Sequence, residues 1–438
     1  MGFSPERLFA ILEEWPRPAR YWVAYSGGLD SSVLLHALAA LRDRLAVPLA
    51  ALHLDHGLQA PSADWAQHCR QVCAGLDVPL RVQSLGLREQ PGTSLEALAR
   101  DARRDAFATL LGEGEMMLTA HHQDDQAETF WLQLLRGSGL RGLSAMPRLQ
   151  PLAAGLLARP LLEFSRAELQ EQARLQGIAW IQDPSNEDCR FDRNFLRQRL
   201  LPLVAERWPA QARTSARAAS HCAEAQGLID ALAQADLEQA RGRAPHTLSV
   251  ARLRALAPDR ARALLRFWIR ALGLPVPASR PLARILTELL PAAPDRQPLV
   301  AWPGAEARRY RDQLYVLKPL PARPQGPLPW PKPEVLRLPA GLGWLHPPAP
   351  WPGDGLWVGF RAGGEQFCPP GQTQHRSLKN LCQEAGVPDW LRSYLPLVHR
   401  DRQLLAVAGL GFANPALGVR WAGHPWTGLL DGEPQWSP

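Results

Sequence analysis

Residues Ser26–Ser32 read SGGLDSS and directly follow the apolar run Tyr21–Tyr25 (YWVAY). A hydrophobic strand that ends in a small-residue loop and then enters a helix makes an anion site. Gly27 and Gly28 let the backbone come close to a ligand and adopt angles closed to other residues. The amides at the start of the next helix, Leu29 included, and the positive end of its dipole then face a phosphate. Ser26, Ser31 and Ser32 add hydroxyl donors, and Asp30 is a hard oxygen ligand suited to magnesium. A glycine turn that only caps a helix accounts for SGG alone. The whole SGGxDS string after a strand is far more specific and points to phosphate.

The string is not a Walker A loop, because GxxxxGK[ST] is absent and no lysine precedes Lys318. At 438 residues the chain has room for two or three domains. Apolar residues make up 46% of it, enough for sizeable cores, and the net charge is +7. Almost all the positive charge is arginine, since Lys318, Lys332 and Lys379 are the only lysines. Arginine suits bidentate phosphate contacts and base stacking, which fits a polyanionic partner; a general preference for Arg, Ala and Pro explains the same composition. Cys69, Cys73, Cys189, Cys222, Cys368 and Cys382 contain no CxxC pair, so a zinc or cluster site is not expected, nor any redox cofactor. There is no basic-then-apolar leader and no apolar run long enough to span a bilayer, which makes a cytoplasmic protein without membrane partners the expectation.

Strand and helix signals alternate after a first helix at Pro5–Glu14. Tyr21–Tyr25, Leu49–Leu54, Pro79–Leu85 and Met116–Ala120 read as strands. Ser32–Leu45, Ser62–Gly75 and Ser94–Leu111 read as helices. Such alternation implies an α/β fold with a doubly wound parallel sheet. Ligands bind such sheets beyond the carboxyl ends of the strands. Two His/Asp clusters sit at such ends, His53-Leu54-Asp55-His56 and His121-His122-Gln123-Asp124-Asp125. Alone, these clusters suit a metal-dependent hydrolase or simple helix capping, and both readings stay open. A phosphate loop on the first strand of the same sheet weighs against each.

HLDHGL (residues 53–58), AHHQDDQAET (120–129) and LLRGSGLRGLSAM (134–146) resemble the signature segments of the tRNA(Ile)-lysidine synthetase family, within the PP-loop ATP pyrophosphatases. Arg159-Pro160-Leu161-Leu162 is similar to the family's RPLL, and Asp183-Pro184-Ser185-Asn186 with Arg193-Asn194-Phe195-Leu196-Arg197 to its DPSN…RNxLR segment. Arg104 stands where the family usually has Tyr, and Phe191 where Tyr is more common. The resemblance covers residues 20–200 strongly and 355–412 moderately.

The resemblance implies ATP with magnesium, L-lysine and the isoleucine tRNA with a CAU anticodon as substrates. The wobble cytidine's C2 oxygen is adenylated with loss of pyrophosphate, and the lysine amine then expels AMP. Codon reading changes from AUG to AUA. Asp30 would hold the metal, and Ser26–Ser32 with His53 would bind ATP. Asp124, Asp125 and His121 are the candidates to accept the amine proton, and the sequence does not rank them. Arg103, Arg136 and Arg141 are candidates for phosphate or tRNA-backbone contact. Arg193 and Arg197 share one face of a basic helix expected to stop at Pro202, and that face is a candidate to receive RNA. In the last hundred residues Arg376, Lys379 and Arg392 supply backbone-binding charge.

Pattern changes suggest four segments: a PP-loop catalytic domain at 1–208, a helical tRNA-binding domain at 209–319, a Pro-rich linker and the start of the C-terminal domain at 320–350, and a small α+β tRNA-binding domain at 351–438. Oligomeric state is not encoded in any pattern, and a homodimer stays open. Rival readings are a thiolating or amidating PP-loop enzyme, a di-metal phosphoesterase and a non-catalytic RNA-binding module. The first lacks its expected paired cysteines or nucleophilic cysteine.

Overall fold

The computed structural model describes residues 2–55, 62–86, 95–182, 188–244, 246–293, 296–368, 374–408, 411–412 and 419–424. Residues 56–58 of the HLDHGL segment and the whole of Asp183–Asn186 lie outside them. The chain forms two compact units, Met1–Leu228 and Ile229–Pro438.

In the first unit, helix α1 (Pro5–Glu13) starts where Ser4 accepts the Arg7 amide and Pro5 fills the first turn. Strand β1 (Tyr21–Ala24) then leads into α2 (Leu29–Ala40). After it come α3 (Arg42–Leu45), β2 (Leu49–Asp55), α4 (Ser62–Gly75), β3 (Leu80–Ser84), α5 (Leu95–Leu110), β4 (Met116–Leu118) and α6 (Gln123–Leu135). The short α7 (Leu140–Leu143) precedes β5 (Leu149–Leu152), β6 (Gly155–Ala158) and α8 (Arg166–Leu175). The strands assemble in the order β3-β2-β1-β4-β6-β5. All neighbouring pairs are parallel except β5 with β6, a hairpin on the edge that carries no strong sequence signal.

The expected doubly wound sheet is present, and strand alternation explains how both faces are covered. Tyr21, Val23, Leu49, Ala51, Met116 and Leu118 point into one core with α1, α2 and α8. Trp22, Ala50, Leu52, Met117 and Leu157 point the other way, against Phe107 of α5 and Leu111 just after it. Helix α2 is buried along most of its length, which is why it is apolar all round (LDSSVLLHALAA) rather than amphipathic.

A long helical run follows the sheet. It comprises α9 (Asp192–Phe195), a π turn at Leu196–Leu200 and α10 (Leu201–Arg207). The expectation that this helix stops at Pro202 is corrected. Proline has no amide to give the carbonyl of residue 198, and the π turn absorbs the missing bond instead of ending the helix. Helix α11 (Gln211–Ala240) is 30 residues long and crosses the boundary between the units.

The second unit contains the expected helices, α12 (Val250–Ala255), α13 (Pro258–Ala271) and α14 (Ser279–Arg284). They pack on an antiparallel sheet of β7 (Leu248–Ser249), β8 (Leu299–Trp302), β9 (Ala305–Tyr310) and β10 (Gln313–Leu317), in the order β7-β10-β9-β8. This sheet, absent from the sequence reading, has strands of two to six residues, too short for a clear alternation signal. A second antiparallel sheet holds Leu356–Phe360, Pro396–Arg400 and Gln403–Val407 over a separate core. Tyr315 of β10 joins that core, edge-on to Trp390 at 5.4 Å. Among the described residues no helix is long and apolar enough to cross a membrane.

Gly155 starts β6 with its α-carbon pressed on the neighbouring strand's entry. A Cβ there would lie 2.4 Å from the Glu115 carbonyl oxygen, a backbone atom that cannot swing away. Gly155→Ala is therefore expected to lower stability by about 1–3 kcal/mol, read as a fall in the denaturation midpoint.

Candidate active site

The two glycines of the loop have different tasks. Gly27 sits at φ +81°, and a Cβ on it would meet Ile181 Cδ1 at 2.8 Å and Cys69 Sγ at 3.1 Å. Its carbonyl accepts from the Ile181 amide at 2.9 Å, so Gly27 packs the back of the loop. Gly28 caps α2 without a side-chain cap, and a Cβ there would approach only Ser26 Oγ, at 3.4 Å. The front of the loop is thus open to a ligand beside uncapped amides.

Hydroxyls hold the loop in shape. Ser31 Oγ donates to the Gly28 carbonyl at 3.1 Å and lies 3.0 Å from Ser26 Oγ. Ser32 is fully buried; its Oγ is 3.4 Å from the Gly27 carbonyl and 3.5 Å from the Tyr25 hydroxyl. Burial pushes that phenol well above its usual range, so Tyr25 stays neutral.

In front of the loop lies a cleft of about 260 Å³. Its lining includes Ser26, Gly28, Asp30 and Ser31 from the loop, Arg103 and Phe107 from α5, and Thr119, His121 and Asp125 beyond β4. Leu52 and Leu54 form an apolar wall with Phe107. Of the expected phosphate residues, Leu29 turns its side chain into the core, and Gly27 and Ser32 support the loop from behind.

His53 is a correction. Strand alternation sends Leu52 and Leu54 to the cleft and His53 to the opposite face, where its Nδ1 donates to the Tyr25 carbonyl at 2.9 Å. It ties β2 to the base of the loop and does not line the cleft.

His122, given no role by the sequence, is the centre of the charge arrangement. Its Nε2 is 3.6 Å from Asp30 Oδ2 and 3.4 Å from Asp125 Oδ2, and its Nδ1 is 3.6 Å from Asp124 Oδ2. Burial alone lowers its pKa, but the carboxylates of Asp124, Asp30 and Asp125 outweigh burial and push it up to about 10. The Asp125 amide also lies 3.4 Å from Nδ1 in a capping arrangement that would need a neutral ring. Three carboxylates outweigh one long amide contact, and the ring is an imidazolium.

Asp125 and Asp124 both stay below the usual carboxylate range. For each, burial works upward and is overcome, chiefly by His122. Asp124 also accepts the Arg166 amide at 2.8 Å and so caps α8. His121 shifts the other way: desolvation first, opposed by Asp125 and reinforced by Arg159, Arg193 and Arg103, holds it well below its ordinary value and neutral. Its Nδ1 meets Thr119 Oγ1 at 2.9 Å.

Glu128, also unassigned by the sequence, is buried one turn after Asp125. Arg193 Nε donates to it at 3.0 Å, and Arg197 donates through Nε at 2.6 Å and Nη2 at 2.9 Å. Arg197 also reaches Asp125 at 3.2 Å, and Arg193 reaches Thr129 Oγ1 at 3.0 Å. Two arginines at i and i+4 that meet one buried acid were the available signal for Glu128. The expectation that Arg193 and Arg197 receive RNA is corrected accordingly, because their charge is spent inside the protein. A second recess of about 220 Å³ opens on the far side of this network, with Asp124 and Glu128 facing Arg166 and Arg197.

The remaining expected contacts divide by burial. Arg103 reaches the cleft without an ion-pair partner among the described residues. Arg136 pairs with Asp192 at 3.2 Å, both exposed, and Arg141 is exposed on α7. In the second unit Lys379 is exposed and Arg376 pairs with Glu384. Arg392 is a further correction: it is buried, donates to the Val387 carbonyl at 3.0 Å and pairs with Asp389, so it holds the domain together.

Asp30 supplies a direct test of fit for a cation. Its Oδ1 is buried without a hydrogen-bond partner, while Oδ2 faces His122. Among the described residues no group of three or more His, Cys, Asp or Glu side chains could cage a metal. One orphaned carboxylate oxygen beside a phosphate loop fits magnesium, which takes one or two carboxylates and completes its shell with phosphates and water.

Glu128→Gln removes the charge that two guanidiniums share. Those side chains are 30% and 28% exposed, so a loss near the low end of the range for breaking a buried pair, about 3 kcal/mol, is expected in chemical denaturation.

Comparison with known proteins agrees with this geometry. Residues 5–204 match the PP-loop domain family, residues 248–315 the TilS substrate binding domain and residues 356–419 the TilS substrate C-terminal domain. The tRNA(Ile)-lysidine synthase of Methylococcus capsulatus is 42% identical over 92% of this chain and 94% of its own length. That of Alkalilimnicola ehrlichii is 44% identical over 94% of each. That of Coxiella burnetii is 38% identical over 99% of this chain and 97% of its own. Near-full-length identity at this level, together with three matched domains in order, makes this chain a member of the tRNA(Ile)-lysidine synthase family, an ATP-binding PP-loop ligase of tRNA modification.

Proposed function

We propose that the protein joins L-lysine to C2 of the wobble cytidine in the CAU-anticodon isoleucine tRNA, with ATP converted to AMP and pyrophosphate through an adenylated cytidine. The observation that carries this reading is the meeting in one cleft of the SGGLDSS loop, the orphaned Asp30 oxygen and the His121–Asp125 segment. The apolar wall of Leu52, Leu54 and Phe107 suits the adenine, and the open face of Gly28 with the first amides of α2 suits the pyrophosphate. Asp30 would hold magnesium, which neutralises phosphate charge as the leaving group departs.

In the first step the C2 oxygen bonds to the α-phosphorus as the bond to the β-phosphate breaks, and Arg103 meets the charge that develops. In the second the lysine ε-nitrogen bonds to C2, the C2–oxygen bond breaks and AMP leaves. The amine must lose a proton. Asp124 and Asp125 are committed to His122, to Arg197 and to a helix cap, whereas His121 is neutral and lines the cleft. His121 is therefore the assigned acceptor, and the negative charge of the adenylate phosphate formed in the first step would raise its low basicity toward the working range.

Asp30→Ala is expected to abolish both tRNA-dependent pyrophosphate release and incorporation of labelled lysine, with an unchanged circular dichroism spectrum. Pyrophosphate release without lysine incorporation by the unaltered protein would move the substrate to another PP-loop family. His121→Asn is expected to keep pyrophosphate release and slow lysine transfer by about 100-fold or more. Equal loss of both steps would count against its role as proton acceptor.

A further inference from the structure

The helical run Asp192–Arg207 turns Arg193 and Arg197 inward onto Glu128. Phe195, Arg199, Leu203 and Arg207 follow at four-residue spacing, which aligns them on another side of the helix, and Trp208 stands at its end. An ordinary surface helix buries its apolar stripe and exposes charge. Here Phe195 is 50% exposed, Leu203 61% and Trp208 64%. Arg199 and Arg207 are exposed and lack carboxylate partners among the described residues, in contrast to Arg193 and Arg197. Of the acids on the run, Asp192 is paired with Arg136 and Glu206 is exposed.

An occupant of this face must offer anionic groups and flat apolar surfaces in alternation. A single strand of nucleic acid offers both, as phosphates and unstacked bases. Arg199 and Arg207 are eight residues apart, about 12 Å along a helix, a span within reach of phosphates on one extended strand. We propose that the outer face of this helix docks the anticodon loop, with Arg199 and Arg207 on its phosphates and Phe195 and Trp208 against its bases. The inner face of the same helix is bonded to Glu128 and Asp125, so a loop held outside is held at a set distance from the cleft. The proposal rests on the tRNA-modifying reading above and adds the surface that reads the loop.

The test uses the full-length protein, a transcript of the isoleucine tRNA and an isolated anticodon stem-loop, with binding measured across a salt series. Phe195→Ala and Trp208→Ala are each expected to weaken binding of both RNAs about 5- to 100-fold, and Phe195→Trp to restore it. Arg199→Gln and Arg207→Gln are each expected to reduce the slope of log affinity against log salt by about 0.7–0.9. The KM for ATP and the turnover at saturating tRNA stay within about twofold of the unaltered protein, which separates a docking role from misfolding. Unchanged affinities and salt slopes in all four variants, with the unaltered protein still modifying tRNA, would overturn the proposal alone. Loss of a concentration-dependent dimer in Leu203→Glu and Trp208→Ala, with RNA binding intact, would reassign the face to self-association. Absence of tRNA-dependent pyrophosphate release in the unaltered protein would overturn the underlying reading as well.

Discussion

A carboxylate as buried as that of Glu128 costs several kcal/mol unless cations meet it at bonding distance. The cations that do so, Arg193 and Arg197, lie 65 and 69 residues further along the chain. Helix α6 and the run Asp192–Arg207 are therefore fastened to each other by charge at the point where the cleft begins. Asp125 shares Arg197, and through His122 it shares a proton-bearing partner with Asp30. The phosphate loop, the second histidine cluster and the basic helix form one electrostatic unit, although the first two follow different strands and the third comes after helix α8.

That unit explains why the cleft holds ionised acids and a neutral histidine side by side. His122 stands among three carboxylates and is charged, while His121, its neighbour in sequence, is desolvated and surrounded by guanidiniums. Adjacent residues at a helix start point in different directions, so one can complete a charge network and the other line the cleft. Divergent environments for neighbouring titratable groups are a common means of assigning acid and base roles at one pH.

Much of this was legible in order along the chain. The strand–loop–helix at Tyr21–Ser32 carried the phosphate site, because small residues and an apolar strand act over a few positions. The alternation of strands and helices carried the parallel sheet for the same reason. His53 misled because a His/Asp cluster at a strand end looks functional, yet the pleat alone decides which of two neighbouring residues faces the cleft. Pro202 misled because a π turn can absorb a missing amide within the helix. Arg392 looked like surface charge, and only the packing of its domain shows it donating to the Val387 carbonyl.

Local pattern thus specified the PP-loop, the sheet class and the strand ends around which the cleft forms, since these depend on contacts within one turn or one strand. Folding decided which charges are consumed and which remain. Glu128 could not be told from a solvated helix acid, nor Arg193 and Arg197 from RNA ligands, until distant segments came together. The free energy of a charge depends on what surrounds it in three dimensions, and no spacing along the chain records that.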